Sequence, residues 1–241
     1  MDKQSNNPSL NVIRVIVFLP VLLMLIYAAY LCFRWAWADV LLTQVRFQME
    51  KVTIEQQPLD AEQWALSRHW LEKSLSLHQD FSDNLEMAAF FYNVAASQPE
   101  ALVDELGWHD SAEKSLYYSR RALRLRPSWP YLWVELILSK LALEQFDDEL
   151  TGALERALTL GPWEGPVLED IAFSGLEYWD ELNTDARKSI YAALDKTFII
   201  QNNKGEVVKE LKDHENFAQF CTDFQKEPVF NLKLVSQNCQ K

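Results

Sequence analysis

The sequence predicts an all-α protein: a single N-terminal transmembrane helix followed by an antiparallel helical-repeat domain. Three observations predict it. The first is composition. The 241 residues include only six glycines, too few for the tight turns of an all-β fold or for phosphate-cradling loops. Alanine, leucine, glutamate and glutamine, which favour helix, are plentiful. The second is VIVFLPVLLMLIYAAYLCF, residues 15–33, nineteen residues without a charge. The third is a segment written twice, 35 residues apart: RRALRLRPSWPYLW at 120–133 and ERALTLGPWEGPVL at 155–168.

Residues 1–13 form a short N-terminal tail and 14–34 the membrane helix, because about 20 apolar residues cross a bilayer core. Pro20 is tolerated in such a helix. Tyr27, Tyr30, Trp35 and Trp37 gather at one end as an interfacial belt, and Arg14 and Arg34 bracket the run. The rival reading is a cleaved signal peptide ending at Ala36-Trp37-Ala38. The apolar run exceeds the usual length, and Arg34 and Trp37 sit badly beside a cleavage point. A buried core helix is disfavoured because the run is apolar on every face. Flanking positive charges do not decide the orientation. A short cytoplasmic tail with the large domain exported is the simplest arrangement, which in a bacterium means a single-pass inner-membrane protein with a periplasmic domain.

Residues 35–58 read as a stalk helix and linker, broken at Gln56-Gln57-Pro58. Residues 59–203 form the helical domain. Asp60 with Gln63 makes a capping box. Trp64, Leu66, Trp70, Leu71, Leu75 and Leu77 recur at helical spacing to about His78. Ser82 or Asp83 caps a helix through Ala96. Ser97 to His109 is a loop, and Asp110 with Glu113 repeats the capping-box pattern for a helix to Leu125. Pro130 suits the first turn of a helix to about Gln145. Asp147 or Asp148 opens one ending at Gly161, and Gly165-Pro166 opens one to Leu182. Asn183 or Thr184 caps the next, to about Asn202. Residues 204–241 read as C-terminal helix and irregular tail.

EKSLSLHQ (72–79), RRALRLRP (120–127) and ERALTLGP (155–162) align. Ser74, Ala122 and Ala157 fall in register, as do Leu77, Leu125 and Leu160. The first interval is 48, one repeat plus the loop insertion near 98–110. A period near 34 with alanine five residues before proline resembles the tetratricopeptide repeat. Ala122 with Pro127, and Ala157 with Pro162, supply that pair. Trp133 and Leu168 supply the large residue six positions after each proline. Ile137 stands where that family places a small residue. The reading is two to three repeat-like units over residues 60–182.

Net charge is −12. Residues 1–33 hold Asp2, Lys3 and Arg14, a net +1, so the remainder carries −13 and repels a phosphate backbone. No nucleic-acid partner is expected. The four histidines, His69, His78, His109 and His214, form no HExxH; CxxC, GxSxG and Walker patterns are missing. No catalytic, cofactor or metal residue is assigned, and the chain is not read as an enzyme. Trp108-His109-Asp110 reads as a helix cap beside a surface loop residue. Cys221 and Cys239 are an even pair outside the membrane run; a disulfide and two separate thiols both remain open.

Arg120, Arg121, Arg124 and Arg126 stand out in so acidic a chain. Cations at a helix C-terminus complement its dipole and pair with nearby acids, which is the favoured reading. The alternative is a partner-binding patch of Arg120, Arg124, Arg126 and Trp129. Trp129, Tyr131, Trp163, Tyr178 and Trp179 are expected in the repeat core.

PSWPYLWVELILSKLAL, ALERALTLGPWEGPVL and GLEYWDELN, within residues 115–195, resemble the VpsP-like proteins of bacterial exopolysaccharide biosynthesis, mainly through SWPY and LGPWE. The resemblance implies a role among protein components of a polysaccharide synthesis or export machine, and brings no catalytic residues. The expectation is a membrane-anchored helical-repeat adaptor in that machine. A general envelope adaptor unrelated to polysaccharide, or an enzyme acting on the glycan through acidic groove residues, is the alternative.

Overall fold

The computed structural model describes residues 8–99, 107–202, 205–226 and 233–240, with side chains from Phe18 onward. Among these residues the regular structure is all helical, in eleven helices. The expected tail overlaps residues 1–7, and much of the expected loop overlaps 100–106; both stretches lie outside the described residues.

Helix α1 (Pro8–Thr53) is continuous through Pro20 and runs about 69 Å at 1.5 Å per residue. It is the one helix among the described residues long and apolar enough to cross a membrane, and its apolar stretch from Phe18 is exposed. The character of α1 changes at Ala38. Ala38, Leu41, Leu42, Val45 and Met49, spaced three and four apart, are buried against the helices that follow. Residues 38–49, expected within a stalk, therefore form the first wall of the helical body.

Helices α2 (Ala61–Leu77), α3 (Ser82–Ala96), α4 (Trp108–Leu125), α5 (Pro130–Ala142), α6 (Asp148–Leu160), α7 (Gly165–Glu177) and α8 (Thr184–Ile200) follow in series. Sequential pairs pack together, and α1, α3, α5 and α7 also touch in turn, lining one side of the stack. Ala88, Ala122, Ala157 and Ala172 are fully buried, which lets neighbouring helices approach closely. Gly175 is the extreme case: a Cβ there would lie 2.3 Å from Ile190 Cδ1.

The aligned stretches adopt one backbone. His78, Arg126 and Gly161 are the C-caps of α2, α4 and α6, and their N–H groups donate to Ser74 O, Ala122 O and Ala157 O. These are the same register positions in all three copies. The large residues also sit as the register asks. Leu168 is fully buried, and Trp133 is half-buried with its Nε1 donating to Pro127 O at 2.9 Å. Ile137 is fully buried despite its size.

The Asp60–Gln63 capping box forms, and Asp147 and Asn183 cap α6 and α8. Four expectations are corrected. Phe81 is the N-cap of α3, so Ser82 and Asp83 lie inside its first turn. Gly107 is the N-cap of α4, which places Asp110 in that first turn, where its charge complements the dipole without capping. Helix α7 stops at Glu177 rather than Leu182, because the chain turns to bury Trp179 against Tyr191 and Phe220. Similarly, α5 stops at Ala142 where Glu144 takes a left-handed backbone, φ 54°.

Residues 204–241, expected as a C-terminal helix and irregular tail, carry among the described residues α9 (Glu206–Asp213), α10 (Phe217–Lys226) and α11 (Lys233–Asn238). Phe220 and Phe224 close over Tyr191, and Trp179 Nε1 donates to Asp223 Oδ2 at 3.1 Å. Asp195 Oδ1 accepts from Leu234 N at 3.1 Å and Val235 N at 3.3 Å. Cys221 and Cys239 are bonded, with Cα atoms 5.3 Å apart. These helices cover the apolar end that a repeat stack would otherwise leave open.

Candidate functional site

The side of the stack formed by α3, α5 and α7 holds a groove of about 650 Å³. Phe90 and Val94 on α3, Leu138 and Leu141 on α5, and Tyr178 after α7 make its apolar wall, with Trp108 at the rim. Glu135, Glu144, Asp170 and Glu177 face it, and among the described residues no cationic side chain lines it. Four carboxylates beside three aromatics, with no cation, make an acidic and amphipathic concavity.

Glu135 and Asp170 are 35 residues apart, the interval between the aligned stretches, and stand at matching positions of α5 and α7, which pack side by side. Ser139 and Ser174 follow each by four residues, and their hydroxyls donate back to Glu135 O and Asp170 O. Glu135 accepts a short hydrogen bond from Asn93 Nδ2, which also reaches Glu135 O at 3.0 Å. The one Ser139 hydroxyl proton has two rival acceptors to Glu135 O, Asn93 Oδ1 at 3.1 Å and Ser115 Oγ at 2.9 Å, and Ser115 Oγ donates to Ala89 O at 2.7 Å. A polar chain thus fixes Glu135 and ties α3, α4 and α5 together.

Burial raises the Glu135 carboxyl from 4.5 to about 8, against the Asn93 hydrogen bond, with the charges of Asp170 and Glu86 adding to the rise. Asp170 reaches about 6, chiefly through desolvation and then through Glu169. Its side chain opens toward solvent, so its shift is the weaker of the two. Both carboxylates, on separate helices of one cleft, were missed in the sequence. Their 35-residue spacing was the available signal.

The arginines sit elsewhere, and three of the four are engaged within the chain. Arg120 makes a two-pronged contact with Glu149, at 3.1 and 2.5 Å. Arg121 meets Asp80 at 2.7 Å, and Arg126 meets Asp83 at 2.7 Å and Glu86 at 3.8 Å. Trp129 Nε1 donates to Glu86 Oε1 at 2.8 Å. Of the suggested partner patch, Arg120, Arg126 and Trp129 therefore join helices of this chain to one another, and only Arg124 points to solvent without a partner in the described structure. Lys140, fully buried, completes the Arg120 network by reaching Asp147 at 2.8 Å and Glu149 at 2.9 Å.

The tryptophans divide. Trp179 is fully buried, Tyr131 and Tyr178 are half-buried, but Trp129 is 41% and Trp163 64% exposed, so these two are surface residues and not repeat core. His109, Asp110 and Glu113 lie together on an exposed face, with His109 Nδ1 3.9 Å from Glu113 and its ring edge-on to Trp108.

No family model matches this chain, and no curated protein matches it either.

Proposed function

We propose that the protein is a membrane-anchored helical-repeat adaptor, of tetratricopeptide-like arrangement, that holds a protein component of an exopolysaccharide synthesis or export machine. The observation that carries the adaptor reading is the groove on α3, α5 and α7: concave, partly apolar, acidic, and wide enough for a segment of another chain. The polysaccharide context rests on the resemblance of SWPY and LGPWE to VpsP-like proteins. Two features support an uncleaved anchor with the domain exported. The helix runs unbroken through 36–38, where a peptidase needs an accessible non-helical strand, and Ala38 is buried. The Cys221–Cys239 bond suits an oxidising compartment. A reporter active only outside the cytoplasm, fused after Lys241, is expected to be active; silence reverses the topology.

Deletion of the gene is expected to reduce surface polysaccharide, and a Leu138→Arg variant, which fills the groove, is expected not to restore it. Unchanged polysaccharide in the deletion strain refutes the polysaccharide role and leaves a general envelope adaptor. One observation favours a second reading, an enzyme acting on the glycan: Glu135 and Asp170 share a cleft and titrate apart, Glu135 at about 8 and Asp170 at about 6, so that near neutral pH one keeps its proton and the other is largely ionised, as the acid and base of glycosidases are. Full restoration by a Glu135→Gln, Asp170→Asn double variant removes that reading.

A further inference from the structure

The span and the body meet at a defined edge. Arg34 Nη2 donates to Leu77 O at 2.7 Å, Trp35 stacks on His78 at 5.2 Å, and His78 stacks on Phe81 at 4.7 Å. The α2–α3 turn therefore lies level with the last residues of the apolar run. Because the helices alternate in direction, the α4–α5 and α6–α7 turns return to the same edge. Side chains join the three turns laterally. Arg121 bonds Asp80, Trp129 bonds Glu86, and Tyr131 donates to Glu164 Oε2 at 3.0 Å. Gly161 sits so close to Pro130 that a Cβ would come within 2.9 Å. The end of α8 reaches the same level, with Gln201 donating to Glu169 at 3.0 Å.

This edge is where the exposed apolar side chains of the body collect. Beyond Thr53, ten large apolar residues are exposed among the described residues, and six are here: Phe81, Leu125, Trp129, Trp163, Ile199 and Ile200. The opposite edge, about 27 Å away by the rise of α1 from Trp35 to Thr53, shows Ile54 and Trp108. The arginines at the edge are largely matched by Asp80, Asp83 and Glu86, so its net charge is small.

We propose that this turn edge lies on the bilayer that α1 crosses, with Trp129, Trp163, Leu125 and the α8 end seated in the headgroup region. The occupant is the host membrane itself, because Arg34 and Trp35, which end the span, already touch the edge. Tryptophan favours that depth, and matched charges leave the contact apolar rather than electrostatic. The repeats then stack along the membrane plane, and the edge doubles as a second, lateral anchor. The inference rests on α1 being a membrane span.

The test uses full-length protein in phosphatidylethanolamine–phosphatidylglycerol vesicles carrying nitroxide lipids. An environment-sensitive thiol probe is placed through Leu125→Cys, Trp163→Cys or, at the far edge, Ile54→Cys, each with Cys32→Ser. A fourth sample labels native Cys32. Shallow nitroxides are expected to remove roughly half of the emission at 125 and 163 and to leave 54 unchanged, at low and high salt alike, as an apolar interfacial contact requires. Equal emission changes at all three positions overturn the proposal, as does quenching at 125 and 163 that vanishes with salt. If the Cys32 probe, less than one turn inside Arg34 and Trp35, escapes shallow and mid-chain nitroxides alike, the span fails and the proposal with it; if Cys32 is quenched and 125 and 163 are not, the edge contact alone fails. Leu125 and Trp163 are exposed, and circular dichroism of each variant confirms that the fold survives.

Discussion

Replacing Glu135 by glutamine tests the groove most directly. The carboxyl titrates near 4.5 when free and at about 8 in the folded chain. Below about pH 4.5 both states hold the proton and the site is neutral to stability. Between 4.5 and about 8 the unfolded chain has lost the proton while the native chain keeps it, so native stability falls as pH rises. At 1.36 kcal/mol per pH unit, the interval bounds the effect at about 5 kcal/mol. The groove is open on one side and water screens part of the penalty, so about 2–3 kcal/mol is expected. Glutamine keeps the acceptor for Asn93 and carries no charge, so Glu135→Gln removes the pH slope rather than the contact. Urea unfolding of the full-length protein in detergent, followed by tryptophan emission, gives the comparison. The variant is expected to match the parent at about pH 5 and to exceed it by about 2–3 kcal/mol at about pH 8. A difference that is the same at both pH values refutes the reasoning.

The Arg120–Glu149–Lys140 network predicts the opposite pH behaviour. Hydrogen bonds from Arg120 hold Glu149 at about 2, so its contribution is present above 4.5 and lost as pH falls through about 2. With Glu149 40% exposed, Glu149→Gln is expected to cost about 1–2 kcal/mol at neutral pH and to flatten the acid limb of a stability profile. The two glycines Gly175 and Gly152 should respond with opposite sign. Gly175→Ala meets Ile190 and costs about 1–3 kcal/mol, whereas Gly152→Ala, with nothing within 4 Å, gains about 0.5–1 kcal/mol; thermal melts of both decide. Cys221→Ser is expected to cost up to about 3 kcal/mol of local stability, read as faster amide exchange in α10 and α11 with α3 to α6 unchanged.

Local chemistry was legible where it acts over three or four residues. The Asp60–Gln63 box, Pro130 at the start of α5, and the caps Asp147 and Asn183 needed no tertiary partner to be read. The failures share a cause. Asp110 and Ser82 have the right chemistry for caps, but α4 starts at Trp108 and α3 follows Phe81, whose ring is held by His78. Trp179 ends α7 early because its pocket is built by Tyr191 and Phe220, residues that arrive later in the chain. The groove was invisible for the same reason. Nothing near Glu135 in sequence shows that Asn93, 42 residues earlier, will hold it. The C-terminal cover was underestimated because its order comes from contacts with Trp179 and Asp195.

The arginines of 120–126 can be accounted for position by position, since the copies share a register. Arg121 and Arg156 are equivalent, but Arg121 faces Asp80, and the residue equivalent to Asp80 in the next copy is Ser128, which offers no charge. Arg126 and Gly161 are equivalent C-caps. Arg126 fits because the residue opening α3 is the small Ser82, and Asp83 and Glu86 wait beside it. Gly161 has no such room, because its neighbour is Pro130, the equivalent of Ser82, against which any Cβ would press at 2.9 Å. The sequence difference between the copies is thus set by the helix that precedes each seam. An arginine appears where the earlier helix opens with serine and acids, and a glycine where it opens with proline. Arg124 alone lacks such a reason within the chain, and it projects from the last turn of α4, beside Leu125, on the edge assigned to the bilayer. Its side chain lines the open groove that α4 makes with Leu143 and Gln145, where a cation in the last turn complements the helix dipole without an ion-pair partner among the described residues.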